Sequence, residues 1–331
     1  MGEAPIKVLI TGGTGFLGLR VALRILERGS LAGASGALEE VDEITLFDTP
    51  SSTALPFSDA RVKVVRGDIS DRETVRRLVD RPDISVFHLA SVVSGGAELD
   101  FDLAMRVNLE GHLHLLETLR ALKSCPRHVF ASSMAVFGGS DLPSRAADST
   151  RHVPQTTYGM TKAVGELLVN DYSRKGFIDG RSARLPGVIV RPGAPNRAAS
   201  SFMSGIIREP LNGVDIALPV NLDSKAAIAG YRSVVENLIE LHDVDAAKLA
   251  DDRSLNLPSH TVTMGEMADR LKRVAGSRRL GTISVAPDPF VEKLVASWPK
   301  GLDATRAKIL GLTPPAPLDT IIGEYIADYL Q

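Results

Sequence analysis

Tyr158 and Lys162 set a phenol and an ammonium four residues apart in the run Tyr158-Gly159-Met160-Thr161-Lys162. On a helix that spacing puts both groups on one face, a single turn from each other. A phenol with its ordinary pKa of ~10 is a poor base at neutral pH; a neighbouring cation favours the ionised form, so the pair is equipped to take a proton from a hydroxyl group. Upstream, Phe130-Ala131-Ser132-Ser133 ends a strand-like run in two hydroxyls. Ser133 is the candidate for holding a reacting oxygen by a hydrogen bond, and Ser132 is its competitor; either could also serve merely to cap the strand end. Near the start of the chain, Thr11-Gly12-Gly13-Thr14-Gly15-Phe16-Leu17-Gly18 places glycines three apart directly after a strand-like run and at the head of a helical one. Such a loop lets the backbone approach a pyrophosphate, whose charge is met by free N–H groups and the positive helix end. Gly18 is better suited to close helix-to-strand packing than to ligand contact.

These three elements have to be brought to one place. From residue 6 to about 190, short β-branched runs alternate with helix-period segments: 6–10 then 17–28; 43–47; 62–65 then 71–78; 85–89 then 102–122; 128–131 then 158–173; and 184–190. The rhythm predicts an α/β fold, a doubly wound parallel sheet with helices on both faces. In such sheets ligands bind beyond the carboxyl ends of the strands, which is where the glycine loop and Ser133 fall. Past residue 190, Pro- and Gly-containing stretches interrupt the rhythm and predict a smaller C-terminal substrate lobe over 191–331. The helical segment around 232–250 is expected to pack back on the first domain, residues 1–190.

After the second strand, Asp48 puts a carboxylate where the hydroxyls of an adenosine ribose should lie, although the linker 30–42 lengthens the interval beyond the usual one. A carboxylate there accepts from ribose hydroxyls and repels a 2′-phosphate, so the cofactor expected is NAD rather than NADP. Asp68 could accept from the adenine amino group and Ile69 pack on the ring.

Composition removes other classes. The 38 Lys and Arg and 40 Asp and Glu give a formal net charge of -2 without clustering, so no nucleic-acid partner is expected. No apolar run approaches the ~20 residues of a membrane span. The single cysteine, Cys125, makes no disulfide framework and fits a reducing cytoplasm. His112 and His114 lie two apart on a predicted helix and face different ways, with no ligand cluster beside them, so no catalytic metal is expected.

The glycine run 11–18, Asp48, Asp68-Ile69, His88-Leu89-Ala90-Ser91, Val107-Asn108 and the Ser133, Tyr158, Lys162 set together resemble the extended short-chain dehydrogenases, the group that includes nucleotide-sugar epimerases and dehydratases. Within it the runs 88–98, 171–180, 191–210 and 297–307 are most similar to NAD-dependent D-erythronate dehydrogenases. The chain departs from that pattern at Gly187, where Thr is usual, at Ala194, where Lys is usual, and over 221–230. The resemblance implies a Rossmann-type sheet, a homodimer built on the helices near 102–122 and 157–172, and further contacts. Gly12, Gly15, Phe16, Leu17, Leu89, Ala90 and Ser91 would line the cofactor, Asn108 would order the backbone around it, Lys162 would hold the nicotinamide ribose, and Ser94 and Asn196 would face substrate.

The expected reaction is oxidation of a small sugar acid of the D-erythronate type at C2 to the 2-oxo acid. Two alternatives stand beside it: a nucleotide-sugar epimerase or dehydratase that recycles its NAD, and an NAD-sensing regulator that turns nothing over. A four-carbon acid has too little surface for apolar burial to orient it and needs a cation for its carboxylate. Arg232, at the head of a helical segment after the strand-like 216–220, is the expected partner, with Arg197 as the alternative.

Overall fold

The computed structural model describes residues 5–49, 55–193 and 200–330. The first thirteen strands are β1 (Ile6–Thr11), β2 (Ser30–Ala32), β3 (Leu38–Asp48), β4 (Val62–Arg66), β5 (Ile84–His88), β6 (Arg127–Ser133), β7 (Arg145–Ala146), β8 (Asp179–Leu185), β9 (Gly187–Ile189), β10 (Ile216–Leu218), β11 (Lys225–Gly230), β12 (Ser254–Asn256) and β13 (His260–Thr263). The first eight α-helices are α1 (Phe16–Arg28), α2 (Arg72–Leu78), α3 (Ser94–Leu99), α4 (Phe101–Ala104), α5 (Gly111–Leu122), α6 (Thr157–Arg174), α7 (Ser201–Leu211) and α8 (Tyr231–Asp243).

β1 and β5 are buried at every position, as strands covered on both faces must be. They sit side by side in a parallel sheet of order β12-β8-β6-β5-β1-β3, with β4 running parallel along the second half of β3. The chain therefore winds outward from β1 to β3 and β4, then returns to β5 on the other side. The switch in direction opens a crevice between the carboxyl ends of β1 and β5, in register at Thr11 and His88. One face of the sheet is covered by Val21, Ile25, Val234, Leu238 and their neighbours on α1 and α8. The other is covered by Val75 on α2 and by Leu115, Leu116 and Leu119 on α5.

The segment 30–42, read from sequence as a linker, is instead an antiparallel hairpin in which β2 pairs with the first part of β3. Gly36 takes a positive φ of 85° in its turn and donates to the Gly33 carbonyl at 3.1 Å. The single strand expected over 184–190 is two strands in different sheets. Pro186, which has no N–H to give, stands between β8 in the large sheet and β9, which pairs with β11 in a three-stranded sheet with β13. That small sheet, α7 and the helices 264–275 and 318–329 share a separate apolar core that includes Ile206, Ile207, Leu271 and Ile322. Residues past 190 also complete the large sheet: β12 pairs with β8, and α8 lies along α1. No helix among the described residues is long and apolar enough to cross a membrane.

Candidate active site

Two glycines in α6 decide how near it comes to β6. A Cβ on Gly159 would collide with the Ala135 carbonyl oxygen, and one on Gly165 would sit 2.6 Å from the Phe130 ring. Their absence lets the first turn of α6 lie directly on the short 3₁₀ turn, Met134–Val136, that follows β6. The turn is started by Thr156, whose hydroxyl accepts from the Gly159 N–H at 2.9 Å. Ser133 and Tyr158 are consequently brought side by side at the cavity, and the Lys162 ammonium reaches back to donate to the Ala131 carbonyl at 2.7 Å.

The same geometry separates the two serines. Ser132 points the other way and donates to the carboxylate of Glu166, which is buried and ion-paired with Arg184 at 2.8 Å. Ser133 keeps its hydroxyl toward the cavity, accepting at 3.2 Å from the Ala135 N–H.

Burial sets the charges. It pushes the Tyr158 phenol above its usual range, and the hydrogen bond from Ser133 pulls the other way. Burial lowers Lys162 to about 7, with Glu166 one turn along opposing the shift. The expectation that Lys162 would bring the phenol toward neutrality is not met in the protein by itself, because burial raises Tyr158 and lowers Lys162.

Across from these groups, α1 begins at Gly15 with no side chain capping its first N–H groups. A Cβ on Gly15 would meet nothing but the Gly12 carbonyl oxygen, at 3.1 Å, so the loop surface is open toward the cavity. Gly12 has φ of 68° and passes so near β5 that a Cβ would lie 2.9 Å from the Ala90 nitrogen. Gly18 is pressed on the Gly12 carbonyl, the packing role expected of it. An uncapped helix end above an open glycine loop is the arrangement that receives a phosphate, so these residues fit a dinucleotide. Loop, Ser133, Tyr158 and Lys162 all line one cavity of about 400 Å³, and Leu89, Ser91 and Ser94 complete its near wall.

Residues 8–227 match the NAD-dependent epimerase/dehydratase family. The chain belongs to that family. It is 46% identical over 323 residues to a D-erythronate dehydrogenase of Cupriavidus necator, covering 98% of each chain. It is 38% identical to one of Haemophilus influenzae, covering 97% of this chain and 99% of the other. Among solved structures it is similar to a nucleoside-diphosphate-sugar epimerase of Agrobacterium tumefaciens, with a TM-score of 0.90, 37% identity, and coverage of 99% and 96% of the two chains.

Within this epimerase/dehydratase fold, not every expected residue reaches the cavity. Phe16 and Leu17 line it beside the glycines. Ala90 stands behind the wall, its N–H donating to Thr11 Oγ1 at 3.2 Å. Asn108 is buried on a turn of π-helix, Met105–Glu110, that interrupts the helix expected over 102–122. Its amide accepts from the Val92 N–H at 2.7 Å and donates to the Val92 carbonyl at 3.0 Å and to Thr161 at 3.3 Å, so it orders the backbone between cavity and α6. Asp48 closes β3 beside the glycine loop, its carboxylate accepting from the Thr14 N–H at 3.0 Å and hydroxyl at 2.7 Å. Asp68 accepts from the Ser70 N–H and hydroxyl at 2.9 and 2.8 Å. The Ile69 side chain is packed into the core against Gly111 and is no wall for a ring.

Arg232 is a correction. It is absent from the cavity wall and faces a different hollow, ion-paired with Asp328 at 2.6 Å on the C-terminal helix. Asn196, Arg197 and Ala194 lie outside the described residues. Among the wall residues that went unassigned from sequence are Arg191 and Trp298. Both occur in runs that carried the resemblance, but which member of a run faces a cavity is not a local property.

Proposed function

We propose that the chain oxidises a sugar acid of the D-erythronate type at C2 to the 2-oxo acid with NAD. The observation that carries this is the convergence of Ser133, Tyr158 and Lys162 with the glycine loop in one cavity. Bound NAD would supply the hydride acceptor, held by Gly12, Gly15, Phe16 and Leu17, with Asp48 toward the ribose. Asp48 still has acceptor capacity beyond Thr14, since an ionised carboxylate offers about four lone-pair sites. Ser133 orients the C2 hydroxyl and Tyr158 Oη takes its proton. Lys162 is anchored at Ala131 and supports the phenolate as it forms. Ser94, buried at the head of α3 and on the wall, would face substrate.

The epimerase reading shares the family but needs no net reduction of NAD. Purified protein is to be incubated with NAD and a panel of four-carbon sugar acids and nucleotide sugars, following NADH. Accumulation of NADH with D-erythronate is expected; conversion of a nucleotide sugar with no accumulation would replace the reading. A homodimer goes with it, supported by the exposed apolar side chains Leu99 on α3, Phe101 on α4, Leu113 on α5 and Leu167 on α6. So does a cytoplasmic location, where the exposed Cys125 thiol stays reduced.

A further inference from the structure

Lys162 and Arg191 are the two cations on the described wall of the cavity, and no carboxylate stands there with them. Lys162 is committed to the Ala131 carbonyl. Arg191 is not so committed. It follows β9 on the small-lobe side, and its main chain is pinned twice: its N–H donates to Ser204 Oγ at 3.2 Å, and its carbonyl accepts from Arg208 at 2.8 Å. Arg208 is itself neutralised by Glu209. The Arg191 guanidinium has no acid within ion-pair distance among the described residues, and its Nη1 is buried without a hydrogen-bond partner. Burial and the Arg208 charge both work against its own charge. A guanidinium cannot shed its proton, so donors left unmet in this way remain a cost until an acceptor arrives. The indole N–H of Trp298, on the same wall, is also buried and unmet.

We infer that Arg191 anchors the carboxylate of the substrate, with the Trp298 indole N–H as a second donor on that wall. The inference rests on the sugar-acid reading and adds to it the feature that selects an acid over a neutral polyol. The two halves of the cavity divide the negative charge. The phosphates of a bound dinucleotide would be met by the uncapped start of α1 after β1 of the large sheet, whereas Arg191 follows β9 of the small sheet. In a 2-hydroxy acid the carboxylate is on the carbon next to the reacting one. Its anchor must therefore line the same cavity as Tyr158, as Arg191 does and Arg232 does not. A guanidinium can grip both carboxylate oxygens at once, which an ammonium cannot reproduce.

Trp298 is the only tryptophan of the chain, so its fluorescence reports on this cavity. The parent protein, Arg191→Gln and Arg191→Lys are titrated separately with D-erythronate, with neutral erythritol and with NADH, and steady-state KM values are measured alongside. D-erythronate affinity is expected to fall about 10- to 100-fold in Arg191→Gln, with only a small recovery in Arg191→Lys. NADH binding and the weak response to erythritol should stay as in the parent, which also reports that the variants are folded. Unchanged D-erythronate binding would overturn the anchor, and so would an equal loss of NADH, since Arg191 would then hold the cofactor. Should the parent bind D-erythronate through Arg191 but form no NADH, the oxidation reading falls and the anchor stands. If the parent binds no carboxylate, the anchor falls.

Discussion

Among the arginine-lined hollows of the described residues, two of similar size, about 400 and 440 Å³, differ in how their arginines are paired. Between α1, α8 and the C-terminal helix, every arginine on the wall is already answered. Arg232 and Arg20 share Asp328 at 2.6 and 3.3 Å, Arg24 is held by Glu236 at 2.7 Å, and Arg20 lies about 5 Å over the rings of Tyr231 and Tyr329. A ligand carboxylate entering there would have to displace one that is in place. In the Tyr158 cavity Arg191 Nη1 and the Trp298 indole N–H have no partner to lose among the described residues. Size and positive charge do not mark a site; unmet hydrogen-bonding groups on residues that line an opening do.

The opening matters as much as the unmet group. His112 Nδ1 and His128 Nδ1 also lack partners, but they sit in a closed interior, where His88, His112 and His128 stack with Phe130 between the sheet and α5. No ligand can reach them, and their answer to burial is to stay neutral.

The largest expected effect is in the cavity. Tyr158→Phe removes the proton acceptor without touching the glycine loop, so turnover should drop by roughly 100-fold or more while NADH binding persists. Single-turnover NADH formation and a fluorescence titration separate the two, and retained turnover would remove Tyr158 from its role. In the parent, oxidation should accelerate as pH rises above neutrality, because burial holds the phenol up and its ionised fraction grows through the alkaline range.

A second effect, on stability, tests the closed interior. Burial lowers His128 to about 3 and His242 to about 4, and holds His88 and His112 well down too. Their folded pKa values lie below the unfolded ~6.5, so the unfolded chain binds more protons in that window, at up to about 1.4 kcal/mol per pH unit for each group. Stability is complete above about pH 6.5 and should fall as the pH drops below it. Thermal unfolding at pH 7.5 and 5.5 checks this, and an equal Tm would show that these rings titrate freely in the fold.

The smallest effect belongs to the paired hollow. Arg232→Gln should leave KM for D-erythronate and for NAD where they were and cost at most about 1 kcal/mol of stability, because the Arg232 side chain is 50% exposed. A raised KM for the acid alone would reverse the contrast between the two hollows.

What could be read from the residues in order was the local chemistry. The glycine loop requires three glycines between a strand and a helix, and Tyr158 and Lys162 share a helix face by spacing alone. The apolar runs of β1 and β5 announced strands buried on both sides. The π turn at Met105–Glu110 and the hairpin at β2 were not visible, since each is too short for its own period to stand out from the flanking residues.

Tertiary structure decided which of several similar groups was left free. Ser132 and Ser133 are neighbours in sequence, yet one is spent on Glu166, 34 residues away, and the other faces the cavity. Arg232 opens a helix in the expected place, yet Asp328, 96 residues on, takes its charge and leaves Arg191 on the cavity wall. The chain order specifies which groups exist and which neighbours share a face. Whether a donor is satisfied depends on partners brought from distant segments, and that balance of pairing and desolvation exists only once the layers have closed.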